Sequence, residues 1–318
     1  MPRNEALEGG VLMMGKKRAS LRELVATEQV FAPCIWDCFS ARAAELTGYK
    51  ATLLSGGALG FSMSGVPDIG LLTADELIWA TERIATYSPL PMIVDADDGY
   101  GETALNAYRT TARLARAGAM ALTIDDTTGV RGYERWGQQL RGGAGDGTID
   151  HPVVPRDAWL AKIKASLAAC EGTDCMLIAR TEAKLKHGLD EAIERCIRAV
   201  ELGAEMTLII GLMRIEEARK VAEHVPGWKM YPDVASVNGV PDVRLDDIGA
   251  LGFNLVTMHY LEKATMFGML DYGKHVIADR TTVYADSHDM GGLSPEERRN
   301  TMPGDRWWLD SEEEWKRV

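Results

Sequence analysis

A (β/α)8 TIM-type barrel with a C-terminal helical extension is the fold this sequence predicts, and three observations predict it. Strand-like apolar runs alternate with stretches of helical periodicity eight times in succession. No obvious linker divides the eight units, although 318 residues would also suffice for two ordinary domains. Polar or charged groups stand where most of the strands end: Asp37, Ser55-Gly56-Gly57, Asp95 with Asp97, Asp125 with Asp126, Arg180, Gly211, Asp233 and His259. Barrels of this kind carry their chemistry on the loops after the strands, so these groups would converge on one pocket. A doubly wound sheet is the alternative architecture, but eight consecutive units are long for it.

The units run as follows. A strand over 30–36 precedes a helix over 40–47, and a strand over 51–54 precedes a helix over 74–87. The third pair is 92–94 with a helix from 102 to 117, the fourth 119–124 with 158–169, and the fifth 176–179 with 189–202. The sixth is 206–210 with 215–224, and weaker signals give 228–231 with 243–251 and 254–258 with 261–276. Three segments stand apart: an N-terminal tail over 1–20, the barrel spanning 21–280 with a lid over 127–155, and an extension over 281–318. The lid is glycine-rich, lacks periodicity and is too long for an ordinary connection. The extension holds Trp307, Trp308 and Trp315 among many charges, suited either to a subunit interface or to folding back on the barrel.

Composition narrows the function. An apolar share of 46% with 26% charged residues is that of a soluble globular chain, and no run of about 18 apolar residues could span a bilayer. The first twenty residues lack the apolar core of an export signal, so a cytoplasmic enzyme is expected. A net charge of -12 opposes nucleic-acid binding, yet a metal ion and a few cations can still make a pocket locally positive for a small anionic carboxylate. Five cysteines (Cys34, Cys38, Cys170, Cys175, Cys196) lack metal-site spacing and read as reduced and mostly structural.

The segment Asp95-Ala96-Asp97-Asp98-Gly99-Tyr100-Gly101 ends a buried strand in three carboxylates and a flexible turn. Hard oxygen ligands on rigid backbone suit Mg²⁺ or Mn²⁺, and carboxylates so close together need a cation or protons to coexist. The plainer reading is that Asp97 or Asp98 caps the following helix. Ser55-Gly56-Gly57 reads as a turn that offers N–H groups and a hydroxyl to a substrate carboxylate. Arg180 offers a planar fork to a carboxylate, or holds Asp125 or Glu182 in place. His259 is either a proton donor or a hydrogen-bonded packing group.

Five motifs, in order, resemble the isocitrate lyase / phosphoenolpyruvate mutase superfamily over residues 21–275: Leu54-Ser55-Gly56-Gly57, Gly65-Val66-Pro67-Asp68, the acidic segment from Asp95, Thr123-Ile124-Asp125-Asp126, and Ile178-Ala179-Arg180-Thr181-Glu182-Ala183. The resemblance implies a (β/α)8 barrel, a Mg²⁺ or Mn²⁺ ion, and chemistry through an enolate of an α-keto acid. It implies Asp97 nearest the metal, with Asp68, Asp95 and Asp125 holding its waters, and a homo-oligomer, dimer or tetramer, whose last helix is exchanged between subunits. Three departures matter. The family's cysteine lid, Lys-Lys/Arg-Cys-Gly-His, is replaced by Tyr133-Glu134-Arg135-Trp136-Gly137-Gln138, and no cysteine lies between Cys38 and Cys170. The Glu usual after strand six gives way to Ile209-Ile210-Gly211-Leu212, and Asp125 stands where Glu is usual after strand four.

These changes look like the oxaloacetate decarboxylase branch, with His259 after strand eight. Oxaloacetate decarboxylation is the expected reaction, with Ser55, Gly56, Gly57, Arg180 and Asp233 in the substrate set and Arg180, His259 or Tyr133 in catalysis. The alternatives are a carbon–carbon lyase on a substituted malate of the methylisocitrate or dimethylmalate kind, phosphonopyruvate-type chemistry, and a barrel that binds a metabolite without turnover.

Overall fold

In a computed structural model, described for residues 18–128, 152–233, 236–237, 240–241, 243–288 and 305–317, the first and last long strands are neighbours. Strand β1 (Val30–Ile35) pairs in parallel with β2 (Thr52–Leu54) on one side and β8 (Phe253–Met258) on the other. Between them run β3 (Met92–Asp95), β4 (Ala121–Ile124), β5 (Met176–Thr181), β6 (Met206–Ile209) and β7 (Trp228–Tyr231), all parallel, and the sheet closes as a barrel. Closure excludes the doubly wound alternative, whose sheet has two open edges.

Strand side chains alternate between two faces, and this period decides what each strand end can reach. Val30, Ala32, Cys34, Leu53, Ile93, Ala121, Met176, Ile178, Met206, Leu208, Met230 and Leu255 form one cluster, which fills the barrel interior. The alternate residues Leu54, Val94, Leu122, Ile124, Leu177 and Ala179 pack outward against α4 (Ala74–Tyr87), α5 (Ala104–Ala117) and α6 (Arg156–Cys170). Trp159 of α6 is fully buried there, and its indole N–H donates to the carbonyl of Ile124 at 3.3 Å. Burial of such a side chain contributes roughly 3 kcal/mol, and the hydrogen bond spares the indole its desolvation penalty. A third cluster, with Ile209, Tyr231, Phe253 and Val256, meets α8 (Leu189–Glu201), α9 (Ile215–His224) and α10 (Leu245–Ala250).

Three elements were not legible in the periodicity. α1 (Leu21–Thr27) lies before β1, with Ser20 as its cap, and α7 (Lys184–His187) is a single turn before α8. α3 (Gly56–Ser64) begins where the sequence suggests only a turn, because Ser55 accepts a hydrogen bond from Ala58 N–H and opens a helix. Most of the 127–155 stretch lies outside the described residues. Its two ends are pinned together by an antiparallel bridge between Thr127 and Val153 and by Val154 N–H donating to Asp126 O at 2.8 Å.

Helix α11 (Leu261–Asp279) closes the eighth unit differently from the others. None of its 19 residues is buried within this chain, and Phe267, Met269, Leu270 and Ile277 are each more than half exposed. Beyond it come α12 (Val283–Ser287) and α13 (Asp305–Trp315); Trp315 is 61% exposed, and the side chains of Trp307 and Trp308 lie outside the described residues. Among the described residues no helix is long and apolar enough to cross a membrane.

Candidate active site

The inward alternation carries past the strand ends and places a charged cluster over the barrel. Ile93 is followed two residues on by Asp95, Ala121 by Thr123 and then Asp125, and Ile178 by Arg180. Arg180 Nη1 donates to both Asp95 oxygens at 2.9 Å, Nη2 donates to Glu182, and Nε lies 3.9 Å from Asp125 Oδ2. Thr123 Oγ1 donates to Asp95 at 2.9 Å, and Thr127 donates to Asp125 Oδ1 through its N–H at 2.9 Å and its hydroxyl at 2.7 Å. Of the two roles open to Arg180, the one seen is the holding of carboxylates. Burial would lower its pKa, but Asp95, Glu182 and Asp125 together hold it well above its ordinary value.

Asp125 shows the opposite balance. Complete burial pushes its carboxyl up from 3.8 to about 8, against the pull of Arg180, and Glu182 and Asp95 add to the rise. One guanidinium thus serves three carboxylates, and the surplus negative charge is what a hard dication would neutralise. The donors around it, from Asp68, Asp95, Asp97 and Asp125, are all oxygens, so the residues present fit Mg²⁺ or Mn²⁺. Among the described residues no three His, Cys, Asp or Glu side chains form a ready-made set of direct ligands.

Asp97 follows Asp95 in left-handed backbone, with φ of 51°, and Tyr100 repeats this with φ of 57°. Such residues cost about 1–3 kcal/mol each and persist only where the surroundings enforce them. Asp125 N–H donates to Asp97 O at 2.7 Å, tying the turn to β4. Neither Asp97 nor Asp98 caps α5: Thr103 and Asn106 do so reciprocally. Asp98 is instead engaged by buried Lys162 of α6, whose Nζ donates to its carbonyl at 2.8 Å and lies 3.5 Å from its carboxylate.

Glycines let the first turn of α3 approach this cluster. A Cβ on Gly56 would stand 3.7 Å from both carboxylate oxygens of Asp97, and one on Gly57 only 3.0 Å from Asp68 Cβ and 3.1 Å from its Oδ2. The positive end of a nine-residue helix therefore faces Asp97. Ser55 is buried as the helix cap, its oxygen accepting from Ala58 while its proton stays available to donate.

A cavity of about 260 Å³ opens beside these groups, lined by Leu72, Asp97, Asp98, Tyr100 and Thr127 among others. Tyr100 is a functional candidate that reading the sequence missed, although it stands within the acidic motif. Its hydroxyl is buried with no hydrogen-bond partner among the described residues. Burial first, then Asp95, Asp98, Asp68 and Asp125, push the phenol far up, so it remains a neutral donor. Lys162 was also missed, although it falls in the stripe Trp159, Lys162, Ile163, Ser166, where a lone cation on a buried helix face signals a buried partner.

Asp233 and His259 meet at the ends of β7 and β8. His259 N–H donates to Asp233 Oδ1 at 3.0 Å, and its Nδ1 contacts the other oxygen. Burial would lower the imidazole pKa, but the bond and charge of Asp233, helped by Glu262 and Asp95, raise it above 6.5. Both side chains keep about two-fifths of their surface in solvent. Tyr133 lies outside the described residues.

Some strand-end groups do not converge. Asp37 caps α2 (Cys38–Thr47) in a reciprocal box with Ser40. Asp126 sits on the outward parity, where Glu182 N–H donates to it at 2.8 Å and Arg195 of α8 at 3.0 Å. Gly211, in left-handed backbone, gives its carbonyl to Lys184 Nζ, and Glu217 holds the same ammonium at 3.0 Å.

Comparison with known proteins adds a family to this geometry. The profile of the phosphoenolpyruvate phosphomutase family matches residues 21–272. An oxaloacetate decarboxylase of Pseudomonas putida (strain GB-1) is 31% identical over 241 residues, covering 75% of this chain and 77% of that protein. A 2,3-dimethylmalate lyase of Eubacterium barkeri is 29% identical over 238 residues, covering 74% and 78%. A solved oxaloacetate acetylhydrolase in complex with 3,3-difluorooxalacetate shares the fold, with a TM-score of 0.78 at 22% identity over 93% of this chain and 96% of that one.

Proposed function

Since the chain belongs to the isocitrate lyase / phosphoenolpyruvate mutase superfamily, we propose that it is a Mg²⁺- or Mn²⁺-dependent lyase that decarboxylates oxaloacetate to pyruvate and CO₂. Asp97 would hold the ion, with Asp68, Asp95 and Asp125 on its waters. When bound, it supplies Lewis-acid stabilisation of negative charge on the keto-acid oxygens. Ser55 O–H and the first-turn N–H groups of Gly56 and Gly57 bind a substrate carboxylate, and Asp233 acts on the substrate through His259. Arg180 keeps Asp95, Asp125 and Glu182 in place and adds its charge next to the bound dianion. The neutral Tyr100 hydroxyl donates into the same pocket. Loss of CO₂ leaves an electron pair on the adjacent carbon, and protonated His259 delivers the proton that completes pyruvate.

One observation carries this choice of reaction: Asp233 stabilises His259 as a cation, which suits a proton donor. Cleavage of a hydroxy-acid C–C bond needs a base on the hydroxyl. The lid cysteine that serves the family as acid or base in such cleavage is not in this sequence, and Cys34, the thiol inside the barrel, is buried with its pKa raised. The likeness to a 2,3-dimethylmalate lyase supports a second reading, cleavage of a substituted malate.

Pyruvate release from oxaloacetate with Mn²⁺, measured above the rate of the metal ion alone, tests the first reading against 2,3-dimethylmalate and methylisocitrate. Release only from a substituted malate would favour the second. On oxaloacetate, His259→Gln is expected to lower turnover about 100-fold. Wild-type activity should fall as pH rises through the raised imidazole pKa, and the variant should lack that limb. An unchanged pH profile in the variant would remove His259 as the acid.

The exposed apolar residues of α11 support a homo-oligomer in which this helix packs on a second copy. Sedimentation is expected to give a dimer or tetramer, and a monomer at micromolar concentration would refute it.

A further inference from the structure

At the opposite end of the barrel from the acidic cluster, the turn from α6 into β5 brings two cysteines together. Cys170 is the last residue of α6, and Cys175 immediately precedes Met176 of β5. Thr173 clasps the turn: its hydroxyl donates to Cys170 O at 2.8 Å and accepts from Cys175 N–H at 3.2 Å, while its own N–H donates to Cys170 O at 3.0 Å. Both side chains lie in the same buried cluster. Arg22 stands by the pair, donating to the carbonyls of Asp174 at 2.8 Å and Cys175 at 3.3 Å while Glu205 holds the same guanidinium at 2.8 Å.

We propose that Cys170 and Cys175 form a redox-active dithiol, a modification site at which hydrogen peroxide converts the pair to an intramolecular disulfide. The pair is chemically asymmetric. The neighbouring Cys175 thiol first, and then the charge of Arg22, lower the pKa of Cys170 against its burial and the charge of Glu205, whereas Cys175 is raised. Cys170 is also the more accessible sulfur, at 9% exposure against 2%. Its thiolate attacks one peroxide oxygen and hydroxide leaves, giving a sulfenic acid. The Cys175 thiol then attacks that sulfur, the S–O bond breaks and water leaves; the hydroxide takes up the proton lost by Cys170. Two thiols and one peroxide thus give one disulfide and two waters. The other cysteines lack this arrangement: Cys38 is exposed, Cys34 is buried within the barrel, and burial pushes Cys196 up to about 12.

Both sulfurs fall in one tryptic peptide, residues 165–180, between Lys164 and Arg180. The native full chain is treated with hydrogen peroxide, alkylated in denaturant, digested and weighed. The expected peptide is lighter by two hydrogens, carries no alkyl group, and accepts two after dithiothreitol, while Cys34 and Cys196 stay alkylatable throughout. In Cys175→Ser the same dose should leave a dimedone-reactive sulfenic acid on Cys170. A wild-type peptide that still takes two alkyl groups after Cys38 is fully oxidised overturns the proposal, whether or not the variant folds.

Discussion

Asp97→Ala is expected to abolish turnover, with a loss of about 1,000-fold or more, because one side chain supplies the carboxylate nearest the proposed ion. A group that stabilises developing charge in a closed site is typically worth about 3–4 kcal/mol in the transition state, and removing the ion's anchor should cost at least that. The fold should survive. The substitution removes a carboxylate from a cluster with surplus negative charge, against which stand its meeting with the α3 N-terminus, about 0.3–1 kcal/mol, and the cost of Ala in left-handed backbone, roughly 1–2 kcal/mol. Asp97→Asn is the informative companion, since Asn tolerates left-handed backbone and keeps the shape while losing the charge. Mn²⁺ titration by calorimetry or electron paramagnetic resonance should show weakened binding in both variants beside near-normal thermal unfolding. Undiminished Mn²⁺ affinity in Asp97→Ala would place the ion elsewhere.

Arg180→Met should produce the largest stability loss, about 3–5 kcal/mol, because it strands buried charges that share one cation. Asp95, Asp125 and Glu182 would then lack the guanidinium that now contacts all three. The loss should depend on pH in a definite sense. Asp125 already has a folded pKa near 8 against an ordinary 3.8, and without Arg180 it must rise further. A carboxyl raised on folding binds more protons in the native than in the unfolded state, so stability falls as pH rises from about 4 toward the folded value. The metal-free variant should therefore be more stable at pH 5 than at pH 8 in urea unfolding. A loss below about 1 kcal/mol at both pH values, the scale of an exposed ion pair, would mean that the cluster is far wetter than its burial indicates.

By itself the sequence determined the eight-unit barrel, because apolar runs of period two alternating with helical stripes leave few other ways to bury both kinds of surface. It also determined the acidic rim, since Asp95 and Asp125 continue the inward alternation of Ile93 and Ala121 at the strand ends. The same alternation, had it been applied to Asp126, would have turned that residue outward toward α8, where Arg195 holds it. Only tertiary structure decided which charges share a partner. Arg180 meets Asp95 from a position 85 residues away, Lys162 reaches Asp98 across 64, and Asp233 finds His259 across 26. Periodicity reports which face of an element a residue occupies, whereas a pairing depends on how two elements are set against each other, and that is fixed by packing of the whole core. For the same reason Ser55 proved to be a helix cap as well as a rim hydroxyl, and Tyr100 emerged as a buried donor only once the turn around Asp97 was folded against β4.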